Sequence, residues 1–290
     1  MRFGMNLLLW TDDATREEFL PTLEALAKLG FDGVEIPVFN PDPAAYAKLG
    51  RRLDDLGLAR TGVTVRSATD CPISPDAAVR QRGIDATKRA IDCCATGGME
   101  LLVGPYYAAL GQFSGAGPTA DEWQRGVASM HAMAEHAGTC QVGLALEHLN
   151  RFETYLLNTA ADNARFVREV GHPACGVLYD TFHSHMEEKS VSAAIRACTA
   201  ELRHVHISES DRSTPGVGQV NWGETFDELA RVGYDGWLTI EAFGLALPSL
   251  AAATRIWRRM FVDELQLAGD GLAFMKREWA RRATAKHRAA

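Results

Sequence analysis

The sequence predicts a closed (β/α)8 barrel, an α/β architecture of eight parallel strands each followed by a helix, with one additional helix at the C-terminus. Three observations carry that prediction. Eight short apolar runs alternate with amphipathic helical stretches, which implies a parallel sheet covered by helices. Composition does not shift along the chain, and no linker rich in Pro, Gly or Ser divides it. The length of 290 residues suits one such barrel, so residues 1–290 are read as one domain in which 270–290 form a C-terminal helical tail.

The first strand is expected over Phe3 to Trp10. Thr15-Arg16-Glu17-Glu18 then opens a helix, with Thr as cap and acids in the first turn, that stops at Leu29-Gly30. Phe31 to Ile36 is the second strand, and Pro41 to Leu56 the second helix. Arg60 to Val65 is the third strand, and Ser74-Pro75-Asp76 starts a long helix toward Gly97-Gly98. Met99 to Gly104 is the fourth strand. The loop from Pro105 to Pro118, rich in Gly and Tyr, has the length of a functional wall or lid. Thr119-Ala120-Asp121-Glu122 caps a helix reaching Cys140, and Val142 to Glu147 is the fifth strand. A helix over 159–170, a strand over Ala174 to Asp180, a helix over 190–199 and a strand over Leu202 to Ile207 follow. Trp222 to Val232 is the seventh helix, Trp237 to Glu241 the eighth strand, and a last helix begins after Pro248. The tail after Gly271, with Lys276, Arg277, Arg281, Arg282, Lys286 and Arg288, reads as a solvated helix with a basic end.

Apolar residues make up 47% of the chain and charged residues 23%, as in ordinary soluble proteins. A net charge of −7 argues against a broad nucleic-acid surface. The six cysteines lack any C-x-x-C or zinc-ribbon spacing and read as free thiols in a reducing cytoplasm. The amino terminus lacks a secretory apolar core, and no run approaches the roughly 18 residues that span a bilayer, so a cytoplasmic protein without membrane contact is expected. Neither G-x-G-x-x-G, a P-loop, G-x-S-x-G nor H-E-x-x-H occurs, which leaves no motif for a nucleotide cofactor.

The chemistry lies at strand ends. In a parallel barrel the C-terminal ends of the strands meet at one mouth, where active sites are built. Four apolar runs end on metal-capable side chains: Leu144-Ala145-Leu146-Glu147, Gly176-Val177-Leu178-Tyr179-Asp180, Leu202-Arg203-His204-Val205-His206, and Trp237-Leu238-Thr239-Ile240-Glu241. Their spacings of 33, 26 and 35 residues each correspond to one strand, one helix and two loops. Alone, Glu147 or Glu241 reads as a mouth ion pair, Asp180 as a helix cap and His206 as a core histidine. Matched positions on four successive strands favour a metal site instead. Three carboxylates and one imidazole suit Mn²⁺, Co²⁺ or Mg²⁺ better than a structural zinc. Beyond these ligands, Glu153, His183 and Arg212 enter the mouth loops, where they can grip the hydroxyl and carbonyl oxygens of a polyol. Glu209 and His185 are weaker candidates. Glu35 ends the second strand with its orientation open, and His204 either alternates away from the site or lies deeper in the same layer.

Glu147-His148-Leu149-Asn150-Arg151-Phe152-Glu153, Asp180-Thr181-Phe182-His183, His206-Ile207-Ser208-Glu209-Ser210-Asp211-Arg212 and Gly233-Tyr234-Asp235-Gly236 leading to Glu241 resemble the ketose 3-epimerases of the xylose-isomerase-like barrel superfamily. The resemblance runs from Phe3 to about Phe274. It implies a divalent ion, usually Mn²⁺ or Co²⁺, held by Glu147, Asp180, His206 and Glu241, and a sugar held by Glu153, His183 and Arg212. It further implies a cis-enediolate formed when one of Glu147 and Glu241 removes the C3 proton, which the other replaces on the opposite face. A free ketose substrate and a homodimer or homotetramer complete what it implies. The same scaffold also supports aldose-ketose or hydroxypyruvate isomerases, which move the proton between C1 and C2. An abasic-site endonuclease would need three metals, more histidines at the mouth and a basic groove. A non-catalytic sugar binder would not need a carboxylate on each face of the sugar. The aliphatic Leu7-Leu8-Leu9, Ser208 in place of a frequent glycine, and the loop carrying Tyr106 and Tyr107 depart from relatives and bear on which ketose is used.

Overall fold

The computed structural model describes the backbone of residues 1–289 and the side chains of residues 1–282. Eight parallel strands close into a barrel in the order β1 (Arg2–Asn6), β2 (Gly33–Pro37), β3 (Ala59–Val63), β4 (Leu101–Gly104), β5 (Gly143–Glu147), β6 (Cys175–Asp180), β7 (Leu202–Ile207) and β8 (Trp237–Ile240). Around it run α1 (Leu20–Leu29), α2 (Pro43–Asp55), α3 (Ala77–Gly97), α4 (Ala120–Thr139), α5 (Ala160–Val170), α6 (Thr181–Glu187), α7 (Val191–Cys198), α8 (Trp222–Arg231), α9 (Pro248–Thr254) and α10 (Glu264–Ala289). The barrel and its eight alternations are as the sequence predicts.

Closure fixes the site through register. Asp180 on β6 pairs with His206 on β7, which pairs with Thr239 on β8, so Glu241 lies just past the end of its strand. Because side chains of paired residues on parallel strands point to the same face, Asp180 and His206 enter the barrel together. Trp237 plugs the interior from below, its indole donating to Glu100 Oε1 at 2.7 Å. Gly33 makes room for it: a Cβ there would stand 2.5 Å from the Trp237 ring. The main apolar core lies between the strands and the helices, and a second cluster, including Leu8, Val63, Leu178 and Phe243, lines the interior toward the mouth.

Five expectations are corrected. The first strand ends at Asn6, and Leu7–Leu9 form a 3-10 turn capped by the Asn6 side chain, whose Oδ1 accepts from the Leu8 amide at 2.8 Å. Thr15 does not cap α1. Its hydroxyl is tied to Asp13, and a 3-10 turn over Glu17–Phe19 precedes the helix. The segment after Asp180 is helical, and the chain after Pro248 forms two helices rather than one. The tail is not merely solvated: Leu272 and Met275 are buried, and Arg282 pairs with Glu278 and Asp227. The side chains of Lys286 and Arg288 lie outside the described residues. No helix among the described residues is long and apolar enough to cross a membrane. All six cysteines are free.

Candidate active site

Glu147, Asp180, His206 and Glu241 converge at the mouth, and one ligand-capable atom from each lies within 4.8 Å of the other three. His206 is the hub. Its Nδ1 is 3.6 Å from Glu147 Oε1, 3.6 Å from Asp180 Oδ2 and 3.4 Å from Glu241 Oε1. Glu147 Oε1, Asp180 Oδ2 and His206 Nδ1 are buried without a hydrogen-bond partner among the described residues. Buried polar atoms are ordinarily satisfied, so three orphans aimed at one point call for a ligand there.

Asp180 and His206 are held from behind. Asp180 Oδ1 caps α6, accepting from the amides of Phe182 at 2.6 Å and His183 at 3.0 Å, which turns Oδ2 to the centre. His206 Nε2 meets Glu35 Oε1 at 2.7 Å, so its Nδ1 faces inward. Glu35 is fully buried and also accepts from Asn6 Nδ2 at 2.9 Å and Thr61 Oγ1 at 2.8 Å. His204 Nε2 stands 3.0 Å from the same carboxylate, which places His204 deeper in the layer that holds His206. A carboxylate behind a histidine that fixes its tautomer is the usual support of a metal-ligating imidazole.

The electrostatics describe an anionic cluster. Burial is the main force raising the Glu241 carboxyl, to about 8, with Glu147 and Asp180 adding to it against His206 and Arg212. Glu147 is raised as well, first by burial. Burial opposes the charge on His206, yet Glu35 and Glu241 outweigh it and hold the imidazolium well above the ordinary range. A divalent cation would compete with that proton, because a ligating nitrogen must be unprotonated.

His183 and Arg212 stand over this centre. His183 Nδ1 accepts from the Asn150 amide at 3.0 Å, and its Nε2 stands 3.6 Å from Glu147 Oε1. Burial, with Arg212 adding to it, keeps His183 neutral. Arg212 Nη2 lies within hydrogen-bonding distance of His183 Nε2, at 2.9 Å, so the guanidinium and the imidazole stand together at the mouth, an arrangement that suits an oxygen-rich ligand. The Arg212 guanidinium is sandwiched by Phe182 at 3.9 Å and Phe243 at 4.9 Å. It pairs with Glu241 and donates to Ser208 Oγ at 3.1 Å. The Arg212 backbone has φ 63°, a left-handed conformation of the strained kind found at functional sites. Glu153 sits at the rim, accepting from Asn150 Nδ2 at 2.8 Å, and its Oε1 is 4.0 Å from Arg212 Nη2.

A cavity of about 280 Å³ opens over the cluster and includes Glu147, Glu153, His183, Arg212 and Glu241 in its lining. Its outer part is apolar, with Leu8, Phe39, Val65, Leu110 and Leu250 among the walls. Pro105 and Leu110 bring the long loop to the cavity, whereas Tyr106 and Tyr107 are buried in the core. His185 is exposed on α6. The Glu209 carboxylate faces its own loop, accepting from the amides of Ser210, Gly216 and Val220 and the Trp222 indole, and so braces the segment carrying Arg212. Sequence reasoning left Glu35 open. Its signal is a carboxylate inside a buried strand, a place that demands partners.

Residues 23–278 match the family model described as xylose isomerase-like TIM barrel. An L-ribulose 3-epimerase of Mesorhizobium japonicum is 33% identical over 94% of this chain and 93% of its own. The solved structure of an L-ribulose 3-epimerase superposes with a TM-score of 0.92 at 31% identity, covering 100% of this chain and 98% of that one. A D-allulose 3-epimerase from Methylomonas sp. in complex with D-allulose gives a TM-score of 0.90 at 28% identity, over 96% of this chain and 97% of that one. In sequence and in fold, the chain belongs to the xylose isomerase-like TIM barrel family and, within it, to the ketose 3-epimerases.

Proposed function

We propose that this protein is a divalent-metal-dependent epimerase that inverts free ketoses at C3. In this reading Glu147, Asp180, His206 and Glu241 hold the ion, Glu147 and Glu241 move the proton, and Glu153, His183 and Arg212 hold the sugar. The observation that carries it is the convergence of four buried donors, three of them with orphaned atoms, on one point. Separations of 3.4 to 3.6 Å from His206 Nδ1 to three carboxylate oxygens are those of ligands about 2.0–2.2 Å from a shared ion. The hard donor set favours Mn²⁺, with Co²⁺ and Mg²⁺ as alternatives, and no nucleotide cofactor is invoked. Bound there, such an ion would supply Lewis acidity that polarises the ketose carbonyl and acidifies the adjacent C3–H.

The side chains do the rest. Glu147 and Glu241 close the two ends of the arc β5 to β8, so they flank a sugar from opposite sides. One, ionised, takes the C3 proton, and the other, protonated, returns a proton to the opposite face. His183 and the Arg212 guanidinium hold the substrate oxygens, and the guanidinium donates to those on which negative charge develops. The apolar outer walls exclude water from the exchanging proton.

The relatives named for L-ribulose and D-allulose support a free ketose as substrate. Exposed Trp257, Val262 and Leu265 after β8 support the homodimer or homotetramer that the family resemblance implies. Incubation of manganese-loaded protein with L-ribulose, D-allulose, D-fructose and D-tagatose, followed by NMR, tests the reading. A C3 epimer that is lost on chelation and regained with Mn²⁺ supports it. An aldose product would make the protein an isomerase, and no product from any ketose would leave a binding role.

A further inference from the structure

On the outer wall of the barrel, away from the mouth, Asp92, His136 and Cys140 form a second group of convergent metal-capable side chains, with one ligand atom from each within 4.8 Å of the others. Asp92 lies in the last turns of α3, His136 in the last turn of α4, and Cys140 caps α4. In a barrel of parallel strands the outer helices run back against the strands, so their C-terminal ends lie at the end opposite the mouth. His136 and Cys140 are four residues apart, and the Cys140 amide donates to the His136 carbonyl at 3.1 Å. Helical geometry therefore reaches the cysteine and sets both side chains on one face, toward Asp92 on the neighbouring helix.

The three donor atoms already stand at nearly the spacing of a zinc site. Cys140 Sγ is 3.7 Å from Asp92 Oδ1 and 3.7 Å from His136 Nε2. Tetrahedral zinc, with bonds of about 2.3 Å to sulfur and about 2.1 Å to nitrogen and oxygen, requires separations of roughly 3.4–3.6 Å. The remaining pair, His136 Nε2 and Asp92 Oδ1, is joined by a hydrogen bond of 2.7 Å. It has only to open by about 0.7 Å for the ion to replace the shared hydrogen. The site is half-buried, with 29% of the His136 side chain and 46% of the Asp92 side chain exposed, which leaves an entry path and room for a water as fourth ligand. The carbonyl end of α4 adds negative potential where the cation would sit. The chemistry differs from that of the mouth: a thiolate, an imidazole and a carboxylate select zinc, whereas the mouth cluster contains no sulfur.

We propose that Asp92, His136 and Cys140 form a second metal site that takes Zn²⁺, with a water completing the tetrahedron, and that the ion cross-links α3 to α4 rather than entering the sugar chemistry. This inference does not depend on the proposed activity, and its test reads a signal that the mouth cannot produce. Chelator-stripped full-length protein is titrated with Co²⁺, and the near-ultraviolet thiolate-to-cobalt charge-transfer band is followed. One equivalent of cobalt per chain giving that band is expected, with displacement by Zn²⁺. Cys140→Ser is expected to abolish the band, Asp92→Asn to weaken cobalt binding at least several-fold, and Glu147→Gln at the mouth to leave the band intact. Circular dichroism verifies that each variant is folded, and the two outer-wall variants stand in for each other if one is not. No band in the wild type, or an undiminished band in Cys140→Ser, would overturn the proposal.

Discussion

The two halves of the barrel mouth differ in kind. Strands β5 to β8 carry Glu147, Asp180, His206 and Glu241 at or just past their ends, whereas β1 to β4 end on Asn6, Pro37, Val63 and Gly104 and lead into the walls built from Leu8, Phe39, Val65 and Leu110. One half presents charge and proton-transfer groups, and the other presents shape. The division teaches where substitutions should change the reaction and where they should change the choice of substrate. Apolar walls discriminate among substrates weakly, by about 1–3 kcal/mol per methylene, while placed acid–base groups contribute about 10²–10⁴-fold to rate.

The largest effect is therefore expected in the charged half. Glu147→Gln and Glu241→Gln should each lower kcat by about 10²–10⁴-fold, measured at saturating Mn²⁺ so that any loss of metal affinity is separated from loss of proton transfer. Glu35 sharpens the comparison because it belongs to β2 yet serves β7 through its contact with His206. Glu35→Ala should weaken Mn²⁺ binding by about 10–100-fold in a titration, with most of kcat recovered at high metal. Loss of kcat without loss of affinity would show that the contact does something other than orient the imidazole. In the apolar half, Leu8→Phe and Leu110→Ala should shift the ratio of kcat/KM between two ketoses by about 10–200-fold and leave kcat within a few-fold. A collapse of kcat in either would break the division.

The smallest effect is on stability. In the metal-stripped protein the Glu241 carboxyl is raised from 4.5 to about 8, so between those values the folded chain holds a proton that the unfolded chain has released. The contribution of Glu241 to stability then falls as pH rises through that window. His206 acts in the same direction, because a raised imidazole stabilises only below its folded value. The melting temperature of chelated protein should decline from about pH 6.5 to pH 8, above the range in which the depressed histidines His148, His183 and His204 act in the opposite direction. Saturating Mn²⁺ should flatten or reverse that decline, since metal displaces the protons.

Much of this was legible in the sequence because each ligand terminates an apolar run, and a closed parallel barrel leaves such ends one place to meet. Other features were hidden for physical reasons. The run Leu7-Leu8-Leu9 has the apolarity of a strand, and only the Asn6 side chain turning back on the Leu8 amide ends it. Asp180 read alone as a helix cap or as a ligand, and it divides the work, with one oxygen capping α6 and the other facing the centre. Glu35 was visible as a strand carboxylate, but its partners come from β1, β3 and β7, far apart in the chain. The left-handed backbone at Arg212 has no sequence signal, since the residue chosen there is set by its guanidinium.

The most direct test of the central claim is the position of proton exchange. Metal-loaded protein is incubated with L-ribulose or D-allulose in D2O, and deuterium is located by NMR. Deuterium at C3 of both the substrate and its C3 epimer, absent in Glu147→Gln and Glu241→Gln, is the predicted result. Deuterium confined to C1 or C2 with an aldose product would contradict it.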